Sequence, residues 1–151
     1  MRKRTAMIRR RIGLGSWAAA VLCAALAAPP ALVADEASEK AAVAAAGSWL
    51  TLVDAGRYAD SWKQASALFQ KQLTPEQWNQ ALHSARTPLG ALRLRKLASA
   101  RYLTSLPGAP DGEYVVIQYE TDFENKKGAI ETITPMKEKD GSWKVSGYFI
   151  K

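Results

Sequence analysis

Residues 112–136, GEYVVIQYETDFENKKGAIETITPM, give the strongest indication of the fold because they contain two runs in which apolar and polar residues alternate. Successive side chains of a strand point to opposite faces, so alternation predicts strands with one buried face. The segment ENKKG supplies a turn between them, which makes the pair a β-hairpin. The predicted core face of the first run consists of Val115, Ile117, Tyr119, Thr121 and Phe123.

Two further strands flank this hairpin. ALRLRKLASARYLTSL, residues 91–106, mixes basic and apolar residues, which is typical of a long, partly exposed strand. After the hairpin, EKDG predicts a tight turn and SWKVSGYFI, residues 142–150, a last strand. The pattern therefore predicts a four-stranded antiparallel sheet.

Three helices are predicted before the sheet. In residues 36–58 apolar side chains recur at steps of three or four, which gives one apolar stripe. Residues 58–73 repeat the pattern, and TPEQW at residue 74 opens a third helix with a capping-box sequence. The predicted core faces are Ala42, Ala46, Trp49, Leu50 and Val53 in the first helix, Tyr58, Trp62, Ala65, Phe69 and Leu73 in the second, and Trp78, Ala81, Leu82 and Ala85 in the third.

Helices followed by an antiparallel meander define an α+β fold, with three N-terminal helices packed on a curved four-stranded antiparallel sheet. We expect residues 35–151 to form a single domain, since their length suits one hydrophobic core.

The first residues have the order of a secretory signal peptide. Six Lys and Arg within residues 2–11 precede an Ala-rich apolar run, which Pro29 and Pro30 end before small residues up to Ala34. A permanent membrane helix needs about 20 strongly apolar residues, and this run is shorter. We therefore expect a signal peptide over residues 1–34, cleavage near Ala34, a periplasmic or secreted product and only transient contact with the membrane.

Removal of this segment would lower the net charge of the protein. The whole chain has 21 basic and 14 acidic residues, for a net charge of +7, and six of the basic residues lie in residues 2–11. Residues 35–151 are therefore almost neutral, whereas a nucleic-acid-binding protein normally concentrates basic residues. Nucleic acid is not an expected partner.

The sequence lacks the residues that several kinds of chemistry require. The one cysteine, Cys23, lies in the signal segment, so residues 35–151 have neither disulfides nor thiols. His83 is the single histidine, and its helical position lies away from the apolar stripe. We therefore expect no metal site and no cofactor.

Strand alternation distinguishes two groups of carboxylates in the hairpin. Glu120, Asp122 and Glu124 share the face opposite Tyr119 and are expected to be a solvated row. Glu131 is different, because it lies among apolar and β-branched residues in AIETITP.

Two interpretations of Glu131 are open. It is either an exposed cross-strand partner, or a slip or bulge turns it inward. A buried glutamate must be paired or protonated. Arg93, Arg95 or Arg101 on the first strand would then be its partner.

Four tryptophans follow the signal segment, at positions 49, 62, 78 and 143. They either form an ordinary core or line a cavity between helices and sheet, where each indole N–H would need an acceptor.

Several segments together resemble one family. AGSWLTLVDAGRYADSW, TPLGALRLRKL, SLPGAPDGEYVVIQYETDFENK, ETITPM and DGSWKVSGYFI are similar to the bacterial exported family catalogued as domain of unknown function 4019 (DUF4019). The order of elements is more loosely similar to the cone-shaped nuclear-transport-factor-2-like (cystatin-like) superfamily. This second resemblance implies a helix-covered curved sheet that encloses a pocket, but it implies no activity, because such scaffolds host both enzymes and binding modules.

Three functional hypotheses follow. The first is a non-enzymatic exported domain that binds a small apolar molecule or an envelope protein, with a pocket formed by Trp49, Trp62, Trp78, Tyr119 and Glu131. The second is a cofactor-free isomerase- or dehydratase-like enzyme with Glu131 as general base and Tyr119 as oxyanion donor. The third is a structural module that forms homodimers through the outer face of its sheet.

Overall fold

The four-stranded antiparallel sheet predicted from the hairpin is present. The computed structural model describes residues 30–151, with side chains from residue 35 onward. Each strand pairs with its neighbour in sequence, in the order β1-β2-β3-β4. The strands are β1 (Leu92–Leu103), β2 (Tyr114–Phe123), β3 (Ala129–Lys137) and β4 (Trp143–Ile150). The fold class is therefore α+β, as predicted.

The predicted signal peptide lies outside the described residues, except for residues 30–34, which begin the first helix. It stays a prediction. Within residues 30–151 no helix is both long and apolar enough to span a membrane.

Four α-helices, rather than the three predicted, precede the sheet in the described part of the chain. They are α1 (Pro30–Asp54), α2 (Tyr58–Gln64), α3 (Ala67–Gln72) and α4 (Pro75–Arg86), and a 3₁₀ turn (Thr87–Leu89) follows. The prediction of one continuous helix over residues 58–73 was therefore wrong.

The break between α2 and α3 has a physical cause at Ser66. Its backbone is extended, and its N–H donates to the carbonyl of Val145 on β4 at 2.8 Å. Its hydroxyl accepts a hydrogen bond from the N–H of Phe69 at 3.1 Å and so begins α3. Serine competes for backbone hydrogen bonds in this way and favours helix starts over helix interiors.

Helix α4 begins as predicted, and Trp78 and Leu82 of its predicted core face are buried. Thr74 and Gln77 form the capping box. Ala81 and Ala85, which were predicted in the core, are exposed, whereas Arg86 is buried. The buried stripe runs through Trp78 and Leu82 to Arg86 in steps of four residues, a spacing that keeps side chains on one face.

The core lies between α1 and the inner face of the sheet. Helix α1 contacts all four strands. Its predicted stripe is buried, and so is the whole predicted core face of β2. Both helical and strand periodicities therefore identified the core correctly in these two elements.

Candidate functional site

Glu131 lies on the inner face of β3 and is fully enclosed. It pairs with Tyr119 on β2 and Ile150 on β4, and none of its surface is exposed. Strands β2 and β3 pair without a register shift, so strand alternation alone turns Glu131 toward the core and no bulge is required. The interpretation of Glu131 as an exposed cross-strand partner was therefore wrong.

Donors from four side chains surround the Glu131 carboxylate. Arg95 donates from Nε to Oε2 at 2.6 Å and from Nη2 to Oε1 at 3.1 Å. The Thr121 hydroxyl donates to Oε2 at 2.7 Å, and the Tyr148 hydroxyl donates to Oε1 at 2.5 Å. Arg86 Nη1 lies 3.4 Å from Oε1. Both carboxylate oxygens are therefore occupied.

Asp54, at the end of α1, completes the charge balance. Its Oδ1 accepts from Arg86 Nη2 at 2.8 Å, and its two oxygens accept from Arg95 at 2.7 and 3.0 Å. Two arginines thus face two carboxylates, with no net charge. We call Asp54, Arg86, Arg95, Thr121, Glu131 and Tyr148 the Glu131 cluster.

The surroundings hold both arginines charged. Burial alone would lower the pKa of Arg95, but the hydrogen bonds and charges of Asp54 and Glu131 outweigh it and raise that pKa. Burial opposes the charge of Arg86 in the same way, and its neighbours Tyr148 and Asp54 raise its pKa. The Arg86 guanidinium also lies 4.7 Å from the centre of the Phe123 ring.

Tyr148 is held as a neutral donor. Burial raises the pKa of its hydroxyl, and the negative charge of Glu131 raises it further. Because Tyr148 stays protonated, it donates to Glu131 while it accepts from Arg86 Nη1 at 3.2 Å. Within the described residues every buried side-chain polar atom has a hydrogen-bond partner. The geometry of the cluster is that of a closed structural network.

Arg95 is one of the three partners considered for a buried Glu131, and the other two lie elsewhere. Arg93 pairs with Glu124 on the outer face at 2.7 Å. Arg101 is exposed.

The outer row of carboxylates is solvated, as predicted. Glu120 and Glu124 are exposed, and Asp122 is half-buried, where it accepts from the N–H of Gly128 at 2.8 Å. The row and the Glu131 cluster therefore occupy opposite faces of the same hairpin.

Two of the predicted pocket tryptophans pack against each other. The rings of Trp49 and Trp78 lie 5.9 Å apart, and Phe69 lies edge-on to Trp78 at 4.9 Å. The Tyr148 ring completes this aromatic cluster at 5.5 Å from Trp49. Since the Tyr148 hydroxyl bonds Glu131, one side chain joins the aromatic cluster to the Glu131 cluster.

The indole N–H groups find acceptors, as expected of buried tryptophans. Trp49 donates to the carbonyl of Ser61 at 2.8 Å, and Trp78 donates to its hydroxyl at 2.9 Å. Trp62 is half-buried and donates to the carbonyl of Leu73 at 2.8 Å. A pocket shared by all five predicted residues stays a prediction.

Tyr119 is placed beside Glu131 without bonding it. The two residues are direct cross-strand neighbours. Burial raises the pKa of the Tyr119 hydroxyl. Within residues 30–151, however, the hydrogen bonds to Glu131 come from Arg86, Arg95, Thr121 and Tyr148.

His83 is exposed, as predicted, and its ring lies edge-on to Tyr58 at 5.1 Å. Within residues 30–151 no group of three or more His, Cys, Asp or Glu side chains is placed to hold a metal ion.

Three members of the Glu131 cluster were not predicted from the sequence. The sequence does contain an indication that Arg86 is buried, because Arg86 lies four residues after Leu82, which lies four residues after Trp78. Asp54 directly follows the buried Val53, and only tertiary packing reveals its partners. Tyr148 pairs with Ile133 and therefore lies on the inner face of the sheet. Its position could be predicted only if the register between β3 and β4 were known.

An open groove lies beside the aromatic cluster, between α1, α2 and the start of β4. Its volume is about 340 Å³. Trp49 and Val145 line its floor with only 3% and 1% of their surface exposed, while Trp143 is half-buried. We call it the Trp groove, and its lining is Ala45, Ser48, Trp49, Lys63, Gln64, Ser142, Trp143, Lys144 and Val145.

These features define an α+β domain with an interior held by a neutral charge network and an aromatic surface groove at one end. Residues 45–148 match the family described as "Protein of unknown function (DUF4019)", and the chain belongs to that family. The looser resemblance to the nuclear-transport-factor-2-like superfamily stays a prediction. No curated protein and no solved structure matches the chain.

Proposed function

We propose that the chain is an exported, non-enzymatic binding domain that takes a small, largely apolar molecule in the Trp groove. The observation that carries the proposal is the groove itself, where Trp49, Trp143 and Val145 border about 340 Å³ of open space. Ligand sites are typically concave and lined by aromatic and apolar side chains with a few polar groups at the edge. Here Lys63 and Lys144 supply that polar edge.

The interior is a less suitable site than the sequence suggested. In the cone-like, cystatin-like shape that the sequence predicts, a ligand would lie between helices and sheet. Trp49, Trp78 and Tyr148 contact one another in that space, and the Glu131 cluster adjoins them. Of the predicted pocket residues, Trp49 therefore retains a direct role in the proposed function.

The enzymatic alternative receives no support from the geometry. A general base needs a lone pair within hydrogen-bond reach of the substrate proton. Both oxygens of Glu131 already accept from Arg95 and from a hydroxyl group. Tyr119, the proposed oxyanion donor, is a buried cross-strand neighbour of Glu131.

Export rests on the composition of residues 1–34, with its basic start, apolar run and small-residue end. Subcellular fractionation followed by an intact mass tests it. We expect a periplasmic or secreted species that begins near Ala34, and a full-length cytoplasmic species would contradict export.

The outer face of the sheet supports a second candidate, homodimer formation. Phe149 is 60% exposed and pairs with Thr132, with Ile130 close by on the same face. A contiguous apolar patch on an exposed sheet face is a candidate self-association surface. Sedimentation of the wild type and of Phe149→Ser tests this candidate: a dimer that the substitution abolishes supports it, and a wild-type monomer at micromolar concentration contradicts it.

Native mass spectrometry of protein purified gently from the periplasm tests the main proposal. We expect a reproducible extra mass on the folded species, which Trp143→Ala removes. Phe149→Ser is the matched control, because it removes an aromatic ring from the opposite side of β4 and should keep the extra mass. Bare wild-type protein would contradict a retained small ligand and would direct attention to an envelope protein as the partner.

A further inference from the structure

A second groove continues the Trp groove and is rich in lysine. The two share Lys63 and Lys144. The second has a volume of about 580 Å³ and lies between α3 and the β3–β4 turn, where Lys71 and Lys139 also line it. We call it the Lys groove.

Three of the four lysines of this groove form no ion pair within the described residues. Within residues 30–151, Lys71, Lys139 and Lys144 have no carboxylate oxygen within 4 Å of Nζ, and Lys63 approaches Asp60 only at 3.9 Å. Elsewhere on the surface, Arg57 and Arg93 each pair with a carboxylate, at 2.8 and 2.7 Å.

Two acidic residues also line the Lys groove, and both accept hydrogen bonds from residues that form the groove. Glu138 accepts from the N–H of Ala67 at 2.9 Å and so fixes the start of α3 against the turn. Asp140 accepts from both the N–H and the hydroxyl of Ser142, at 2.9 and 2.6 Å, and so fixes the turn itself. Four lysines and two carboxylates line the groove, so its lining has a net charge of +2 and a positive field.

This concentration is notable because residues 35–151 are almost neutral overall. An apolar, aromatic groove that continues into a cationic groove is complementary to a molecule with an apolar body and an anionic head. Lysine ammonium groups attract phosphate and carboxylate as flexible point charges.

We infer that the ligand of the Trp groove is an anionic amphiphile whose phosphate or carboxylate head lies among Lys63, Lys71, Lys139 and Lys144. This inference rests on the proposed binding function and adds the chemical class of the ligand. The head group can belong to a free amphiphile or to a lipid in a membrane, and the experiment separates these sources.

The test uses octyl phosphate, with octyl glucoside as a neutral amphiphile of equal tail length, followed by NMR chemical shifts of the full-length secreted product. We expect octyl phosphate to shift the amides of Ala65, Ala67 and Ser142 and to bind at least tenfold more tightly than octyl glucoside. Equal affinities would overturn the inference and leave the proposed binding function intact. No binding of either amphiphile would overturn both.

Charge variants sharpen the test. The double variant K71Q/K139Q changes two exposed lysines of the Lys groove, and we expect it to weaken octyl phosphate binding about tenfold, since each exposed charge contact contributes modestly. K126Q/K127Q removes the same charge from the exposed β2–β3 turn and should leave the affinity unchanged. Equal losses in the two variants would indicate a long-range charge effect and overturn the assignment of the head group to this groove.

Vesicles distinguish the two sources. Sedimentation with vesicles of equal amounts of phosphatidylglycerol and phosphatidylcholine, lost in K71Q/K139Q, assigns the head group to a membrane lipid. Binding of octyl phosphate without sedimentation assigns it to a free amphiphile. Sedimentation that K71Q/K139Q does not reduce would contradict the proposed head-group site.

Discussion

The two faces of the β2–β3 hairpin treat the same kind of side chain in opposite ways. On the outer face, Glu120 and Glu124 are exposed to water. On the inner face, Glu131 is fully enclosed by Arg86, Arg95, Thr121 and Tyr148. The difference follows from strand alternation, because a carboxylate turned toward the core is tolerated only where charges and hydrogen bonds compensate its lost hydration. Burial, rather than the residue type, decides which carboxylate contributes to the stability of the fold.

Substitution of one carboxylate on each face should give very different losses of stability. Glu131→Gln keeps the side-chain shape but leaves two buried arginines facing a neutral amide, and we expect the free energy of unfolding to fall by about 3–5 kcal/mol. Glu120→Gln is the matched control on the outer face, where we expect a change within about 0.5 kcal/mol. Urea unfolding of both variants measures the difference, and equal losses would contradict the distinction between the faces.

A smaller effect is expected when one hydroxyl group leaves the Glu131 cluster. Tyr148→Phe keeps the ring against Trp49 and removes a hydrogen bond to a charged acceptor, so the free energy of unfolding should fall by about 1.5–3 kcal/mol. Tyr102→Phe is the control, because the Tyr102 hydroxyl donates at 3.0 Å to the half-exposed Glu113. A larger loss for Tyr102→Phe than for Tyr148→Phe would contradict the account.

The smallest expected effect is a pH dependence. An unfolded tyrosine ionises near pH 10, whereas burial and Glu131 raise the pKa of Tyr148 in the folded protein. The stabilisation from its neutral hydroxyl is therefore complete below pH 10 and is lost as the pH rises above it, with a slope of up to about 1.4 kcal/mol per pH unit. Urea unfolding from pH 9 to pH 11 should give a shallower slope for Tyr148→Phe than for the wild type. Identical slopes would contradict the predicted shift.

The sequence predicted those parts of the fold in which one local period dominates. The alternation in residues 112–136 identified the inner face of β2, and the α1 stripe was correct through Val53. The break at Ser66 was missed because its cause is a hydrogen bond to Val145, almost eighty residues further along the chain.

The candidate site was harder to predict because its members are distant in sequence. Glu131 was identified by its apolar context and Arg95 was one of three candidate partners, whereas Arg86 was not among the residues predicted for the core face of α4. A charged residue at the helical spacing of an apolar stripe is informative when an unpaired acid is expected in the core. The grooves were beyond prediction, since they combine α1, α2 and α3 with the β3–β4 turn.

We propose that the Glu131 cluster stabilises the domain while the Trp groove binds a ligand, and native mass spectra of Tyr148→Phe and Trp143→Ala separate these two roles. Tyr148→Phe alters the cluster and should retain the extra mass of the wild type, whereas Trp143→Ala alters the groove and should lose it. The opposite pattern, with the extra mass lost in Tyr148→Phe and kept in Trp143→Ala, would contradict the account and place the ligand in the interior beside Glu131.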